Sequence, residues 1–270
     1  IVPSVRGREL YRPYETVMAE VRSKVALGAK EIAFLGQTVN SWHAAVEGKE
    51  LRFPELLRRA GAIEGLERIR FESPHPHFVD DALIATMAGT PSVCPQLHLP
   101  VQSGSDRLLK IMRRNYDCAG ILDKTARLRR AVPLVEVSTD IIVGFPSETD
   151  EDFERTLDLV RALKPSWSYT FKYSPREGTE SAEMADGVPS GVKEERLQRL
   201  NAVCDSLTET ALAARVGQIV DVLDEGGGFG RTRDGFKVSW NGSEPAGRTV
   251  KVRITEASKR ILKGETDERA

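Results

Sequence analysis

The sequence predicts an α/β chain, a parallel sheet flanked by helices, followed by a small all-β module. Three observations carry this. Short apolar strands alternate with helical patterns up to Tyr173, the mark of βαβ units with right-handed crossovers. The stretch from Val137 to Thr149 runs from an apolar strand through a Gly144-Phe145-Pro146 turn into a helix. Thr149 caps that helix, with Asp152 placed to complete a capping box. From Val216 onward the apolar residues recur with period two, which is the strand period.

Composition narrows the classes. The 270 residues suffice for one large α/β domain, or a medium domain plus a small one. A hydrophobic share of 40% and a charged share of 29% describe a soluble, folded chain. No apolar run is long enough to cross a bilayer, and nothing at the start resembles a signal peptide. The opening Ile1-Val2-Pro3 reads as though cut from something longer. Cys94, Cys118 and Cys204 are too scattered for a disulfide framework or a local metal cluster. They fit a reducing, cytoplasmic compartment. With a net charge of −1, nucleic-acid binding would have to rest on local patches.

In chain order, Pro13 opens a helix carrying Val17, Val21 and Val25 on one face, and Gly28 ends it. Glu31 to Gly36 is a strand, with the polar Gln37-Thr38-Val39-Asn40 loop beyond it. Pro54 to Ile63 is helical, and Ile69 to Ser73 is a strand leading into Pro74-His75-Pro76-His77. Two histidines at i,i+2 without a carboxylate or Cys nearby do not make a metal set. Phe78 to Met87 is helical, and Gln96 to Val101 is a strand followed by Gln102-Ser103-Gly104-Ser105. His98 points to the opposite face from Leu97 and Leu99, whether toward a barrel interior or a helix. Helices near 105–113 and 119–131 precede the Val137 strand, and Trp167 to Tyr173 is the last strand of this part. That makes five strands, and a short partial barrel fits them as well as an open sheet. On the Val137 strand Asp140 is the lone charge, and Gly144 leaves room for close approach of a ligand. The carboxyl ends of parallel strands are where ligands sit in such folds.

Ser174 to Pro189 is a loop, and Ser190 to Ala214 is a long helix with Leu197, Leu200, Cys204, Leu207 and Ala211 in a stripe that packs on the barrel's outside. The final module has the size of a five-stranded barrel. Between Val216 and Gly264 it carries nine Lys/Arg against six Asp/Glu. Arg231, Arg233, Lys251 and Arg253, with Phe236 and Trp240 interleaved, form the kind of surface that holds RNA.

Ile1-Val2-Pro3 with Arg6-Gly7-Arg8-Glu9, Leu35 to Asn40, Ser73 to Pro76, His98 to Asp106, Ser138 to Pro146 and Ser174 to Thr179 occur in a telling order. The ordered set resembles the methylthiotransferase branch of the radical S-adenosylmethionine (SAM) enzymes, and the terminal module resembles a TRAM domain. The resemblance implies a partial (β/α)6 radical-SAM barrel over residues 1–173, a loop and packing helix over 174–215, a TRAM-like RNA-binding barrel over 216–264 and a tail over 265–270. It implies insertion of a methylthio group at C2 of the N6-isopentenyladenosine beside the tRNA anticodon. Sister branches act on threonylcarbamoyl-adenosine in tRNA or on a ribosomal protein. A reading from another class is a non-catalytic RNA-binding barrel pair.

The implied cofactors are SAM and a pair of 4Fe-4S clusters, and the implied chemistry is a 5′-deoxyadenosyl radical abstracting the C2 hydrogen. Cluster cysteines are expected upstream of Ile1, because none of the three present matches a ligand position, and the chain alone is expected to be inactive. Gly36, Gln37 and Asn40 would flank the methionine end of SAM, and Gln102 and Ser103 would face the same cavity. Ser138, Thr139 and Asp140 would meet the ribose, while Val143, Gly144, Phe145 and Pro146 would wall the adenine. Glu148 stands one place off the common radical-SAM pattern, which weakens any role for it. Arg6, Arg8, Arg12 and Arg176 would hold anticodon-loop phosphates. The implied partners are the tRNA anticodon stem-loop and an electron donor such as flavodoxin, for a cytoplasmic monomer with no membrane association.

Overall fold

The structure is a computed structural model that describes residues 7, 9–184, 187–242 and 245–267. Helix α1 (Tyr14–Ala26) starts after Pro13 and buries Tyr14, Met18 and Val21. Strand β1 (Glu31–Phe34) leads to a hairpin, β2 (His43–Val46) and β3 (Lys49–Arg52), that the sequence pattern does not announce. Its turn places Glu47 at φ 52° and Gly48 at φ 75°, a left-handed pair usually signalled by Asn-Gly or Asp-Gly. Glu-Gly carries no such signal.

Helix α2 (Phe53–Gly61) then precedes β4 (Arg68–Phe71). Helix α3 (Asp81–Gly89) begins later than the apolar pattern from Phe78 indicates, because the Leu83 N–H bonds the Asp80 carboxylate at 2.9 Å and fixes the cap there. The remaining elements of this part are β5 (Gln96–His98), α4 (Asp106–Ile111), α5 (Cys118–Ala131), β6 (Glu136–Val143), α6 (Asp150–Leu163) and β7 (Trp167–Lys172). The capping box of Thr149 and Asp152 is formed at the start of α6.

Five parallel strands result among the described residues. β1 pairs with β4, and β5, β6 and β7 pair in that order. A parallel bridge between Ile69 and Val93 joins the two sheets into an open, incomplete barrel. Residues alternate between faces as the strand period requires. Ile69, Leu97, Val137, Ile141 and Val143 lie in the core shared with the helices, and the partly buried Ile32 and Phe34 pack against it. Their neighbours Arg68, Arg70, His98, Ser138, Asp140 and Tyr169 turn to the inner face.

After a short helix α7 (Glu180–Glu183), the long helix α8 (Ser190–Ala213) runs past β7. Its Leu200 and Cys204 enter the core of the first barrel, whereas Leu212, with Ala211 beside it, enters that of the second. One apolar stripe therefore ties both cores together. The second barrel is closed, in the order β10 (Lys237–Trp240), β12 (Ile261–Thr266), β11 (Thr249–Ser258), β8 (Ile219–Asp224) and β9 (Phe229–Thr232). Phe236 and Trp240 are inside it, so the aromatics expected on its surface are core residues. A five-stranded barrel this small needs large rings to fill it.

The second barrel docks on the amino ends of the parallel strands. Arg68 donates to the carbonyls of Arg231 (2.7 Å) and Asp221 (3.2 Å). Arg70 donates to those of Thr232 (2.8 Å) and Arg233 (3.1 Å) and pairs with Glu31. Arg233 reaches back to the carbonyls of Glu67 and Pro91. Trp167 meets Phe236 edge to face, and Arg215 bonds both Glu136 and Asp234. Among the described residues, no helix is long and apolar enough to cross a membrane.

Candidate active site

The carboxyl ends of β4, β5, β6 and β7 form the end of the barrel away from the second barrel. Register places His98 beside Ser138, Asp140 beside Tyr169 and Ile142 beside Phe171 on the inner face. His98 bridges two of its neighbours, with Nδ1 2.9 Å from Ser138 Oγ and Nε2 3.3 Å from Asp140 Oδ1. Its ring lies 5.9 Å from that of Tyr169. The trio is not a nucleophile relay, since Ser138 is only 1% exposed and unreachable by a substrate. It is an ordered polar layer with an accessible carboxylate above it. Tyr169 and Phe171 stand half-exposed on the same face.

Backbone strain gathers at this end. Ser73 (φ 56°), Gln102 (φ 69°) and Ser147 (φ 68°) take left-handed conformations just after β4, β5 and β6. Each is unfavourable for a side chain with Cβ and persists only where neighbours enforce it. Gln102 is enforced by β6, whose Asp140 carbonyl accepts from its N–H at 2.8 Å and whose Ile142 N–H bonds its carbonyl at 2.9 Å. The loop after β4 is pinned by Asn40, which exchanges two hydrogen bonds with the His75 backbone, and by Lys124, which donates to the Pro76 carbonyl. Burial, assisted by the neighbouring Arg114, His77 and Lys124 side chains, holds the His75 pKa below the ordinary range.

The structure sorts the sequence candidates. Asp140 reaches the inner face, with Ser138 buried beneath His98. Gly36 and Gln37 line a groove of about 790 Å3 along the free edge of β1, together with Arg12, Leu35 and Thr38. Asn40 is 5% exposed and committed to His75. Thr139 lies on the helix-facing side, donating to the Leu99 carbonyl at 2.8 Å, so the alternation of β6 turns it away from any ribose. Val143 is in the core, and Ser103 is fully buried beside Thr156.

The Gly144-Phe145-Pro146 turn is buried too, but against α8. The stem of Lys193 fills the space where a Gly144 side chain would stand, and Phe145 packs on Tyr173 at 5.1 Å. Glu148 accepts from the Gly144 N–H and from Arg196, each at 2.7 Å. Burial pushes its carboxyl pKa up, against the pull of those two donors. Glu148 is thus a structural anchor of the turn, a role signalled only by its pairing with Arg196, 48 residues away.

The basic candidates divide similarly. Lys251 and Arg253 point outward between the buried Val252 and Ile254, with Arg253 paired to Asp267 at 2.9 Å. Arg231 is exposed beside Glu225, and Arg176 is exposed in the loop after β7. Arg12 is exposed and paired with Glu20 at 2.7 Å. Arg233 uses its donors on the first barrel and so belongs to the junction. Arg6 and Arg8 lie outside the described residues.

An iron–sulfur cluster needs gathered thiolates. Cys94 and Cys204 are buried, with thiol pKa values raised by burial. That of Cys118 is pushed up to about 12, first by burial and then by Asp106. Among the described residues no group of His, Cys, Asp and Glu is placed to hold a metal ion. The described residues do not fit a cluster.

Comparison with known proteins places this geometry. Residues 1–160 match the Radical SAM superfamily, and residues 213–266 match the TRAM domain. The tRNA-2-methylthio-N(6)-dimethylallyladenosine synthase of Nocardia farcinica (strain IFM 10152) is 46% identical over 278 residues, covering 96% of this chain and 55% of that protein. That of Acidothermus cellulolyticus (strain ATCC 43068 / DSM 8971 / 11B) is 45% identical over 257 residues, covering 95% and 51%. The chain spans about half the length of the curated relatives it matches. Among solved structures, coproporphyrinogen III oxidase (HemN) from Escherichia coli shares the fold at a TM-score of 0.54 and 13% identity, covering 92% of this chain and 62% of that one. The parallel barrel with its strained carboxyl-end loops, and the small closed barrel at its other end, belong to a member of the Radical SAM superfamily that carries a TRAM domain.

Proposed function

We propose that this chain is the barrel and RNA-holding part of a tRNA methylthiotransferase that uses SAM to modify N6-dimethylallyladenosine beside the anticodon. The observation that carries the reading is 46% identity extending over 96% of the chain, through both barrels, to a synthase of that name. In this reading the enzyme works in the cytoplasm, as a monomer, with a flavodoxin-like electron donor.

Bound SAM would supply a carbon-centred radical on one-electron reduction by the enzyme's electron donor, and the residues here fit it as a holding surface. Asp140 offers a carboxylate held in place by His98, and the exposed Gly36 and Gln37 offer backbone and amide groups beyond β1. The buried Ser138 fixes the His98 ring and therefore the orientation of Asp140. Ile142, Tyr169 and Phe171 give the inner face an apolar side from which water is displaced by a bound ring. Cluster ligands come from outside the described residues. Lys251, Arg253 and Arg231 serve the RNA backbone.

The test is anaerobic reconstitution of the full-length protein with iron, sulfide and SAM, followed by nucleoside mass analysis of tRNA bearing N6-dimethylallyladenosine. Appearance of the methylthio nucleoside is expected. Its formation only on threonylcarbamoyl-adenosine tRNA would move the chain to a sister activity.

A further inference from the structure

We propose that a hollow on the rim of the parallel barrel, between the end of α4 and the start of α5, holds a backbone phosphate of the RNA beside the reacting base, gripped by Lys110, Arg114 and Lys124. This inference rests on the functional reading above and adds to it a second place where the RNA is held. The hollow measures about 470 Å3. It lies at the carboxyl ends of the strands: Tyr116 on its wall donates to the Pro100 carbonyl, just after β5, at 3.0 Å. The same ring meets His75, just after β4, edge to face.

The two barrels work too far apart to share one contact. Lys251 and Arg253 belong to the second barrel, which docks at the amino ends of the parallel strands. The eight residues of β6 alone span about 26 Å. RNA whose base enters the carboxyl end therefore needs a phosphate contact there to fix its register.

Three cations converge on the hollow from different elements. Lys110 comes from the last turn of α4, Lys124 from α5, and Arg114 from the turn between them. That turn is a Schellman motif, with the Arg113 N–H on the Lys110 carbonyl at 3.0 Å and the Arg114 N–H on that of Leu109 at 2.8 Å. Arg113 takes φ 56° at the position where glycine is usual, a conformation that costs of order 1 kcal/mol. The turn delivers an arginine with no protein partner. Among the described residues Arg114 forms no ion pair, and its Nε, shielded from water, has no hydrogen-bond partner. Lys124 donates to the Pro76 and His77 carbonyls at 2.7 and 3.3 Å, which leaves it a further N–H.

Asp106 and Asp117 share the hollow, but both are engaged by the first turn of α5. They accept from the Cys118 N–H at 2.8 Å and the Gly120 N–H at 2.7 Å. Three cations against two committed carboxylates leave a positive surplus, and an unpartnered guanidinium fork matches the oxygens of a phosphodiester. A free phosphate ion shares that chemistry; the place of the hollow, at the mouth where a base enters, favours RNA.

The test titrates full-length protein into a labelled anticodon stem-loop bearing the target nucleoside, read by anisotropy across a salt series. Lys110→Gln and Arg114→Gln should each lower the log–log salt slope by about 0.7–0.9. Arg114→Lys, which keeps the charge, should keep the wild-type slope. An ethyl group on one phosphate flanking the target nucleoside should weaken wild type and leave Arg114→Gln unaffected. Lys110 is exposed and Arg114 unpartnered, so the thermal midpoints of their Gln variants should stay at the wild-type value. Calorimetry with inorganic phosphate is the second arm. Loss of phosphate binding in the Gln variants with the stem-loop slope intact would give the hollow to a free anion and overturn the proposal. An unchanged slope and ethylation pattern in both Gln variants would also overturn it and leave the functional reading standing. If wild type does not bind the stem-loop, both fall.

Discussion

Arg196 donates to Glu148 at 2.7 Å, with side chains only 6% and 0% exposed, and so locks α8 onto the turn after β6. A buried pair of this kind is hard to break from one side. Arg196→Leu would strand the Glu148 carboxylate in an apolar setting and should cost about 3–5 kcal/mol. Urea unfolding of this variant checks the figure. Glu148→Gln with Arg196→Met removes both charges and should recover much of the loss.

Arg70 is the corresponding fastener between the barrels. Arg70→Ala removes the guanidinium donor from the Arg233 carbonyl and from that of Thr232, which keeps only the Gly235 N–H, and frees Glu31. A loss of about 3 kcal/mol is expected from the charged hydrogen bonds alone. Scanning calorimetry should show the single transition separating into two as the barrels uncouple. A transition that stays single, with an unchanged midpoint, would count against the junction.

Asp152 gives the fold an acid limit. Burial works against its ionised form, but hydrogen bonds from Arg107, Ser105 and Thr149 outweigh it and hold the pKa well below the carboxylate range. A depressed folded pKa means that its stabilisation is fully present above the unfolded value, about 3.9. It is lost as pH falls below that value toward the folded pKa. Asp152→Asn should therefore lower the thermal midpoint at pH 7 and flatten its dependence on pH below about 4.

Thr139 separates a packing role from a ligand role. Its hydroxyl donates to Leu99 and accepts from the Val101 N–H at 3.2 Å, on the helix side of β6. Thr139→Val should cost about 1 kcal/mol of stability and leave S-adenosylhomocysteine affinity unchanged in calorimetry.

Lys251 and Arg253 carry the RNA expectation. Lys251→Glu with Arg253→Glu should weaken binding of an anticodon stem-loop and reduce its salt dependence, by about 0.7–0.9 in log–log slope for each phosphate no longer neutralised. Arg233→Ala, by contrast, should lower stability and leave the salt slope as it was.

Local signals account for much of this architecture. The Thr149–Asp152 box, the span of α8 and the five-stranded module follow from caps, periods and turns, which act over a few residues. The alternation of β6 also contains the division between Ser138 and Asp140 on one face and Thr139 and Val143 on the other. The β2–β3 hairpin is hidden because Glu47 holds a conformation that its residue type does not advertise. Only the tertiary structure decided that Phe236 and Trp240 fill a barrel, that Arg68, Arg70 and Arg233 join the barrels, and that Tyr169 and Phe171 stay open. Those outcomes depend on which surfaces meet across more than a hundred residues of chain, and a local pattern fixes a side chain's face without fixing what covers it.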